Sequence, residues 1–330
     1  MPPPSGGGVG ANSEIDTHMA KKDILDAIGN TPLVELPRLS PKPGVRLFAK
    51  LEGHNPTGSL KDRIAKYMVE QAEADGKLTH DKVILESTSG NTGISLAMVG
   101  RRKGYQVEVV MPENVSPERA QLLRAYGAHI HFSDGQSGTN GAILVAQEMG
   151  ARQPDRYYMP YQYGNEANPR AHYETTGKEI LEDLPSVSVF VAGLGTGGTL
   201  MGVGRRLKEH NPAIKVVAAV PNPDDLIMGL RSLDEGFIPP ILDISRLDTR
   251  IMVQSQEAFY FTKVLLEKES IFAGISSGAV IACALQYAQR LDRGDIVCLL
   301  ADGGWKYLST GLWTREYDDF RSEVEGRLWW

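Results

Sequence analysis

Short apolar runs alternate with longer helical patterns along the chain from residue 20 onward. The runs are rich in β-branched residues and are bounded by turn-forming residues, which is typical of buried strands. Helical patterns follow several of them, and one helix is expected after Ser116-Pro117, where proline suits the first helical position. The alternation predicts an α/β fold with largely parallel sheets and helices on both faces. The predicted strands are 46–51, 82–86, 106–111, 129–133, 187–192, 215–220 and 295–301, and the other predicted helices are 62–74, 93–103, 140–149 and 278–289.

Two breaks in this alternation suggest a division into domains. One is the segment 53–58, and the other is the stretch 157–169, which is rich in Tyr, Asn, Pro and Gly. We therefore predict a small domain at 53–157 and a large domain formed by 19–52 plus 158–330. Residues 1–18 are Pro/Gly/Ser-rich without a hydrophobic period, and we interpret them as a disordered leader or tag.

Composition excludes several function classes. The 35 basic and 41 acidic residues give a net charge of −6 without a basic block, so nucleic-acid binding is not expected. Cys283 and Cys298 lie in apolar runs and cannot form a disulfide framework, which favours a reducing, cytoplasmic compartment. No apolar run is long enough to span a membrane, and the histidines show no metal-ligand spacing. The 35 glycines, about 11% of the chain against a usual ~7%, direct attention to the glycine-rich loops.

The first such loop, 55–63 (NPTGSLKDR), carries Lys61 at the expected start of a helix. The positive end of the helix dipole and burial would both lower the pKa of this amine. A lysine with a lowered pKa is suited to Schiff-base chemistry. The alternative is a solvated surface lysine beside Asp62.

The second loop, 87–93 (STSGNTG), joins a strand to a helix. Its hydroxyl groups, its amide and the free backbone N–H groups of the helix start form a site for a carboxylate or a phosphate. The alternative is a helix N-cap, although a cap needs only one such residue.

The third loop, 193–199 (GLGTGGT), matches the dinucleotide pattern G-x-G-x-x-G. A nicotinamide site also needs an acidic residue about 20 residues later, at the end of the next strand. That strand ends Val220-Pro221-Asn222, without a carboxylate, so we expect this loop to bind a single phosphate. The chain also lacks the G-x-x-x-x-G-K-[ST] motif of P-loop nucleotidases.

Six motifs together resemble the pyridoxal-phosphate-dependent cysteine synthase family, whose members are β-replacing enzymes of fold type II. They occur in the family's order, at 29–33 (GNTPL), 55–63, 88–93, 195–199, 274–278 (GISSG) and 307–311 (YLSTG). The resemblance implies a tryptophan synthase β-like fold of two domains, each with a central, mostly parallel twisted sheet flanked by helices. The large domain would bind pyridoxal 5'-phosphate, and the small domain at 53–157 would be mobile and bind the substrate.

The resemblance also implies roles for individual residues. Lys61 would hold the cofactor as a Schiff base and take the α-proton of the substrate. Ser276 would bind the pyridine nitrogen, although it also suits an N-cap of the helix 278–289. The substrate carboxylate would be bound by Thr88, Ser89, Asn91, Thr92 and Gln162, with Asn91 also near the ring oxygen of the cofactor, and the cofactor phosphate by Gly195, Thr196, Gly197, Gly198 and Thr199.

Within the family, the segments 230–237 (LRSLDEGF), 301–311 and 326–330 (GRLWW) are similar to the actinobacterial O-phosphoserine-dependent group. In that group the arginine at the position of Arg231 faces the leaving phosphate, which a guanidinium suits. The alternative is a surface arginine paired with Asp234 or Glu235. Leu328-Trp329-Trp330 would fold over the cleft or, alternatively, anchor the terminus on the body. The segment 220–226 departs from the group's pattern, which affects the substrate assignment more than the chemistry.

The implied reaction is β-replacement of O-phospho-L-serine or O-acetyl-L-serine, through an aminoacrylate, to give L-cysteine. Sulfide or a thiocarboxylated small carrier protein would donate the sulfur, and the enzyme would be a homodimer. The alternatives are an O-acetylserine sulfhydrylase proper, a cystathionine β-synthase-like enzyme, a serine or threonine dehydratase, and a non-enzymatic binding subunit.

Overall fold

A computed structural model describes residues 20–88, 90–223, 225–233 and 236–319. Its strands form two sheets. In chain order the strands are β1 (Leu33–Glu35), β2 (Val45–Leu51), β3 (Val83–Ser87), β4 (Gln106–Pro112), β5 (His129–Ser133), β6 (Tyr157–Tyr158), β7 (Val187–Gly193), β8 (Lys215–Pro221), β9 (Thr249–Val253) and β10 (Gly294–Leu300).

The larger sheet has six strands in the order β1-β2-β10-β7-β8-β9, and the smaller has four in the order β5-β4-β3-β6. All pairs are parallel except β1 with β2, where Leu33 lies opposite Lys50. The predicted α/β class is therefore confirmed. The domain boundaries at 53 and 157 stay a prediction.

Helices cover both sheets, as the alternation of patterns predicts. α9 is almost wholly apolar and buried, because it packs between the larger sheet and α8. Gly278 permits this close approach, since a Cβ there would lie 1.9 Å from the carbonyl oxygen of Ala258. The helices are α1 (Lys61–Ala74), α2 (Asn91–Lys103), α3 (Pro117–Ala125), α4 (Gly138–Arg152), α5 (Ala167–Ala171), α6 (Gly177–Asp183), α7 (Gly198–His210), α8 (Ser255–Glu269) and α9 (Ile275–Ala288).

The predicted strands agree with the structure to within one residue at each end, and the helix starts show larger differences. α2 begins at Asn91 rather than at 93, and α9 begins at Ile275 with Gly274 as its N-cap. The interpretation of Ser276 as the N-cap is therefore wrong: Ser276 lies inside the first turn. The sequence patterns do not predict β1, β6, β9, α8 or the α5–α6 region. In that region a π-helical turn over His172–Thr176 joins α5 to α6.

Candidate active site

The three glycine-rich loops meet at one cleft between the two sheets. Each follows the carboxyl end of a parallel strand, which is where ligands bind in α/β sheets. The cleft has a volume of about 770 Å³, which includes space open to solvent, and a smaller adjoining cavity continues it at the N-terminus of α7. Among the described residues that line the cleft are Lys61, Thr88, Asn91, Thr92, Gln162, Gly195, Thr196, Arg231 and Ser276.

Lys61 is the first residue of α1, and its partly exposed side chain lines both cavities. Burial lowers the pKa of its amine to about 8, although the negative charge of Asp302 acts in the opposite direction. The alternative of a solvated surface lysine is therefore wrong. A lysine with this pKa is a competent nucleophile toward an aldehyde.

The second loop opens onto the cleft at the N-terminus of α2. The hydroxyl oxygen of Thr88 accepts hydrogen bonds from the N–H groups of Gly90 (3.0 Å) and Gly93 (3.3 Å). Thr88 therefore stabilises the helix start as well as lining the cleft, and its hydroxyl hydrogen is not used by these two bonds. Ser89, a predicted carboxylate ligand, lies outside the described residues.

Gln162 lies on the same side of the cleft as α2. Thr92 Oγ1 donates a hydrogen bond of 2.7 Å to Gln162 Oε1, so the two predicted carboxylate ligands support each other. The backbone N–H of Gln162 contacts the buried carboxyl of Glu86 at 3.3 Å. Burial raises the pKa of that carboxyl to about 8, while the N–H groups of Gln162 and Ser87 act to lower it.

The third loop forms the N-terminus of α7, whose first N–H groups have no intrahelical partners. Gly197 adopts a left-handed conformation (φ 86°), which glycine does without strain. Gly195, Thr196, Gly197 and Thr199 line the smaller cavity together with Lys61. The loop therefore fits a terminal phosphate, such as the one that pyridoxal phosphate carries.

Two buried polar side chains, Asn168 and His172, contact threonines of the phosphate loop 193–199. Asn168 Nδ2 donates hydrogen bonds to Thr196 Oγ1 (3.1 Å) and to the carbonyl oxygen of Gln162 (2.9 Å). His172, one turn later, contacts Thr199 Oγ1 through Nε2 at 3.2 Å. Burial holds the pKa of His172 well below its usual value, so the ring is neutral at pH 7. Asn168 thus joins the phosphate loop to the loop that carries Gln162.

Arg231 also lines the cleft. Its guanidinium lies 5.5 Å from the ring centre of Tyr163 and 4.9 Å from that of Phe237, and Nη1 contacts Asn140 Oδ1 at 3.3 Å. The residue is only 5% exposed. The interpretation of Arg231 as a surface arginine is therefore wrong. Its suggested partners Asp234 and Glu235 lie outside the described residues.

Among the polar residues of the cleft, Arg119, Thr139 and Asp302 were missed by sequence reasoning, and Tyr307, the first residue of the motif 307–311, was given no role there. Asp302 carries one signal that could have revealed it, because it comes just after the carboxyl end of β10. Arg119 and Thr139 lie on helices without a motif that points to the cleft.

The remaining expectations concern the cysteines, metal sites, membrane helices and the ends of the chain. Cys283 and Cys298 are free and buried. In the described part of the chain, no cluster of three metal-ligating side chains occurs, and no helix is long and apolar enough to cross a membrane. Residues 1–18, the Leu328-Trp329-Trp330 tail and Asp224 of the segment 220–226 lie outside the described residues.

Comparisons with known proteins agree with this geometry. Residues 24–302 match the family described as pyridoxal-phosphate dependent enzyme. The chain is 43% identical to a cysteine synthase of Aquifex aeolicus, over 89% of this chain and 93% of that protein. The crystal structure of a cysteine synthase from Entamoeba histolytica matches with a TM-score of 0.85 at 34% identity, covering 94% of this chain and 95% of the other.

A second solved structure, a hydrogen sulfide-producing enzyme from Fusobacterium nucleatum, matches with a TM-score of 0.83 at 40% identity and covers 87% and 100% of the two chains. The family match spans most of the chain and includes Lys61, the two loops before α2 and α7, and Ser276. The chain therefore belongs to the pyridoxal-phosphate dependent enzyme family, and pyridoxal phosphate is its cofactor.

Proposed function

We propose that this protein is a cysteine synthase that replaces the β-substituent of an activated L-serine with sulfur. The observation that carries the proposal is the shared cleft, in which Lys61 lies between a carboxylate site at the α2 N-terminus and a phosphate site at the α7 N-terminus. The names of the relatives from Aquifex aeolicus and Entamoeba histolytica support it.

Different residues of the chain bind the substrate carboxylate and transfer the α-proton in this reaction. The bound cofactor supplies an electron sink for the Cα–H bonding pair. The α2 N-terminus, with Thr88, Asn91 and Thr92, holds the carboxylate, and Gln162 binds it beside Thr92. Lys61, neutral when released from the cofactor, takes the α-proton and later returns it. The Cβ–O bond breaks and phosphate or acetate leaves, and a Cβ–S bond to the incoming sulfur takes its place.

For the leaving group we propose phosphate, with O-phospho-L-serine as the preferred substrate. Arg231 supports this choice because it is buried in the cleft and packs beside two aromatic rings, those of Tyr163 and Phe237. A preorganised guanidinium pairs well with a phosphate dianion and gains little from a neutral ester. Arg119 adds a second cation to the same cleft.

The test compares two substrates in three proteins. We expect Arg231→Ala to lower kcat/KM for O-phospho-L-serine by about 100-fold, the loss of a buried charge-assisted contact. With O-acetyl-L-serine the loss should stay below about threefold, because no dianion is involved. Arg205→Ala is a matched control, since Arg205 is an exposed arginine paired with Glu209 on α7. Equal losses on both substrates would remove Arg231 from this role.

Replacement is distinguished from elimination by its products. With O-phospho-L-serine and sulfide we expect one L-cysteine per phosphate released, whereas a dehydratase-like enzyme would release pyruvate and ammonia instead. A colourless protein that forms neither product would contradict the proposed function.

We also propose a cytoplasmic homodimer that accepts sulfur from sulfide or from a thiocarboxylated carrier protein. This proposal rests on the resemblance described above. Light scattering tests the dimer, and stopped-flow comparison of the two donors at matched concentrations tests the carrier.

A further inference from the structure

The amide of Asn91 is held from both sides by the segment that follows β10. Its Nδ2 donates a hydrogen bond of 2.7 Å to Asp302 Oδ2, and Lys306 Nζ donates one of 2.7 Å to Asn91 Oδ1. A carboxylate only accepts hydrogen bonds and an ammonium only donates them. The two contacts therefore allow the amide one orientation, with its nitrogen toward Asp302 and its oxygen toward Lys306.

Asp302 is itself fixed in place. The hydroxyl of Tyr307 donates a 2.7 Å hydrogen bond to the same Oδ2 that accepts from Asn91. The other oxygen, Oδ1, packs against Gly274, where a Cβ would lie only 2.1 Å away. Asp302 and Lys306 are both almost completely buried, at 2% and 0% exposure. The carboxylate can therefore not turn without rearranging its neighbours.

This arrangement decides what Asn91 presents to the cleft. Nδ2 carries two hydrogens, and Asp302 takes one of them. The second is left for a ligand in the cleft that Asn91 lines. If the amide turned over, its carbonyl oxygen would face the ligand instead, and it would repel the carboxylate or phenolate oxygen of a bound anion.

We propose that Asp302 and Lys306 are positioning residues that fix Asn91 as a hydrogen-bond donor toward the bound amino acid and cofactor. The proposal rests on the proposed function of this cleft. The three residues come from different parts of the fold, because Asn91 begins α2 beside the smaller sheet and the other two follow the larger sheet. The contact therefore also requires these two parts to lie together.

The experiment is a double-mutant cycle with the full-length holoenzyme. Asp302→Ala and Lys306→Met are made in the wild-type and in the Asn91→Ala background, since a cycle isolates the coupling between contacting residues. The probe is L-alanine, which has no β-leaving group, and its Kd is read from the change in cofactor absorbance. We expect each variant to raise Kd about tenfold in the wild type and less than twofold when Asn91 is absent.

Two further variants separate positioning from general damage. Asp302→Asn keeps an acceptor oxygen for Asn91 and should stay within about threefold of wild type. Glu118→Gln disturbs another contact of the same segment, the bonds of 2.8 Å from Ser309 N and Oγ to the Glu118 carboxylate, without touching Asn91. We expect its Kd within twofold of wild type. Equal losses in both Asn91 backgrounds, or in Glu118→Gln, would overturn the proposal.

Crystal structures give a readout that does not depend on the proposed function. A wild-type protein that shows no absorbance from a lysine-bound cofactor would contradict the proposed function alone. In either case the Asn91 amide should leave its wild-type rotamer in the Asp302→Ala protein, and an unchanged rotamer would overturn the positioning role.

Discussion

The lowered pKa of Lys61 makes a quantitative prediction about how the protein acquires its cofactor. Only a neutral amine attacks an aldehyde, so the rate of cofactor attachment to the apoprotein follows the neutral fraction of Lys61. Burial lowers this pKa from 10.5 to about 8. The experiment therefore measures cofactor attachment to the cofactor-free protein over a range of pH.

The magnitude follows from the two pKa values. At pH 7 an amine with a pKa of about 8 is neutral in about one molecule in eleven, whereas an ordinary lysine is neutral in about one in three thousand. The neutral fraction of Lys61 is thus roughly 300-fold larger at this pH. The attachment rate should rise about tenfold from pH 7 to 9 and level off above pH 9.

The assay is stopped-flow absorbance after mixing apoprotein with pyridoxal phosphate between pH 7 and 10. Nα-acetyl-lysine in the same buffers corrects for titration of the cofactor itself. Asp302→Asn provides a second perturbation, because the charge of Asp302 raises the pKa of Lys61. Removing that charge should move the midpoint to lower pH. A wild-type midpoint near pH 10, or a midpoint that rises in Asp302→Asn, would refute the reasoning.

Two predictions concern stability. Glu86 in the folded protein keeps a proton between about pH 4.5 and 8 that the unfolded chain has released, so stability falls as the pH rises through this window, by up to about 5 kcal/mol. Urea unfolding at pH 5 and pH 8 should show a much smaller fall for Glu86→Gln, and an equal fall would contradict the assignment. Arg63 is buried and binds Glu52 and Glu179 at 2.6–2.8 Å, so Arg63→Met should lower the free energy of unfolding by about 3–5 kcal/mol because it leaves the buried carboxylate of Glu52 without its cation, while Glu179 keeps Lys50 at 2.9 Å. Arg152→Ala, which breaks an exposed pair, should cost less than about 1 kcal/mol, and similar losses in the two variants would contradict this distinction.

The sequence predicts the parts of the fold that local chemistry determines. The long β-branched strands and the glycine-rich turns after them carry a strong pattern, and the structure has them within a residue. The missed strands β1 and β6 are only three and two residues long, so no alternation could develop in them. The α5–α6 region was missed because its sequence, NPRAHYETTG, mixes helix breakers with polar residues, and tertiary contacts through His172 and Asn168 hold it in place.

The candidate site also contains residues that the sequence predicts and residues that it does not. Lys61, Asn91 and the loop 195–199 lie in short motifs whose chemistry is visible in a window of a few residues. Asp302 and Lys306 lie in the segment 301–311, whose similarity to the O-phosphoserine-dependent group gives neither of them a role. Their role depends on contact with Asn91, more than 200 positions away in the chain. Spacing along the sequence carries no information about such a contact.

The net charge of the chain is negative, whereas the charged side chains that line the cleft are mostly positive. The protein carries a net charge of −6, yet the described residues that line the cleft include Lys61, Arg119 and Arg231 against a single carboxylate, Asp302. That carboxylate accepts hydrogen bonds from Asn91 and Tyr307 at Oδ2, and the three cations outnumber its single negative charge. Because low-dielectric walls focus the field of these cations, we expect the cleft to attract an anionic amino acid despite the net negative charge of the chain. On this argument the preference for an anionic substrate follows from the charge inside the cleft and not from the charge of the whole chain.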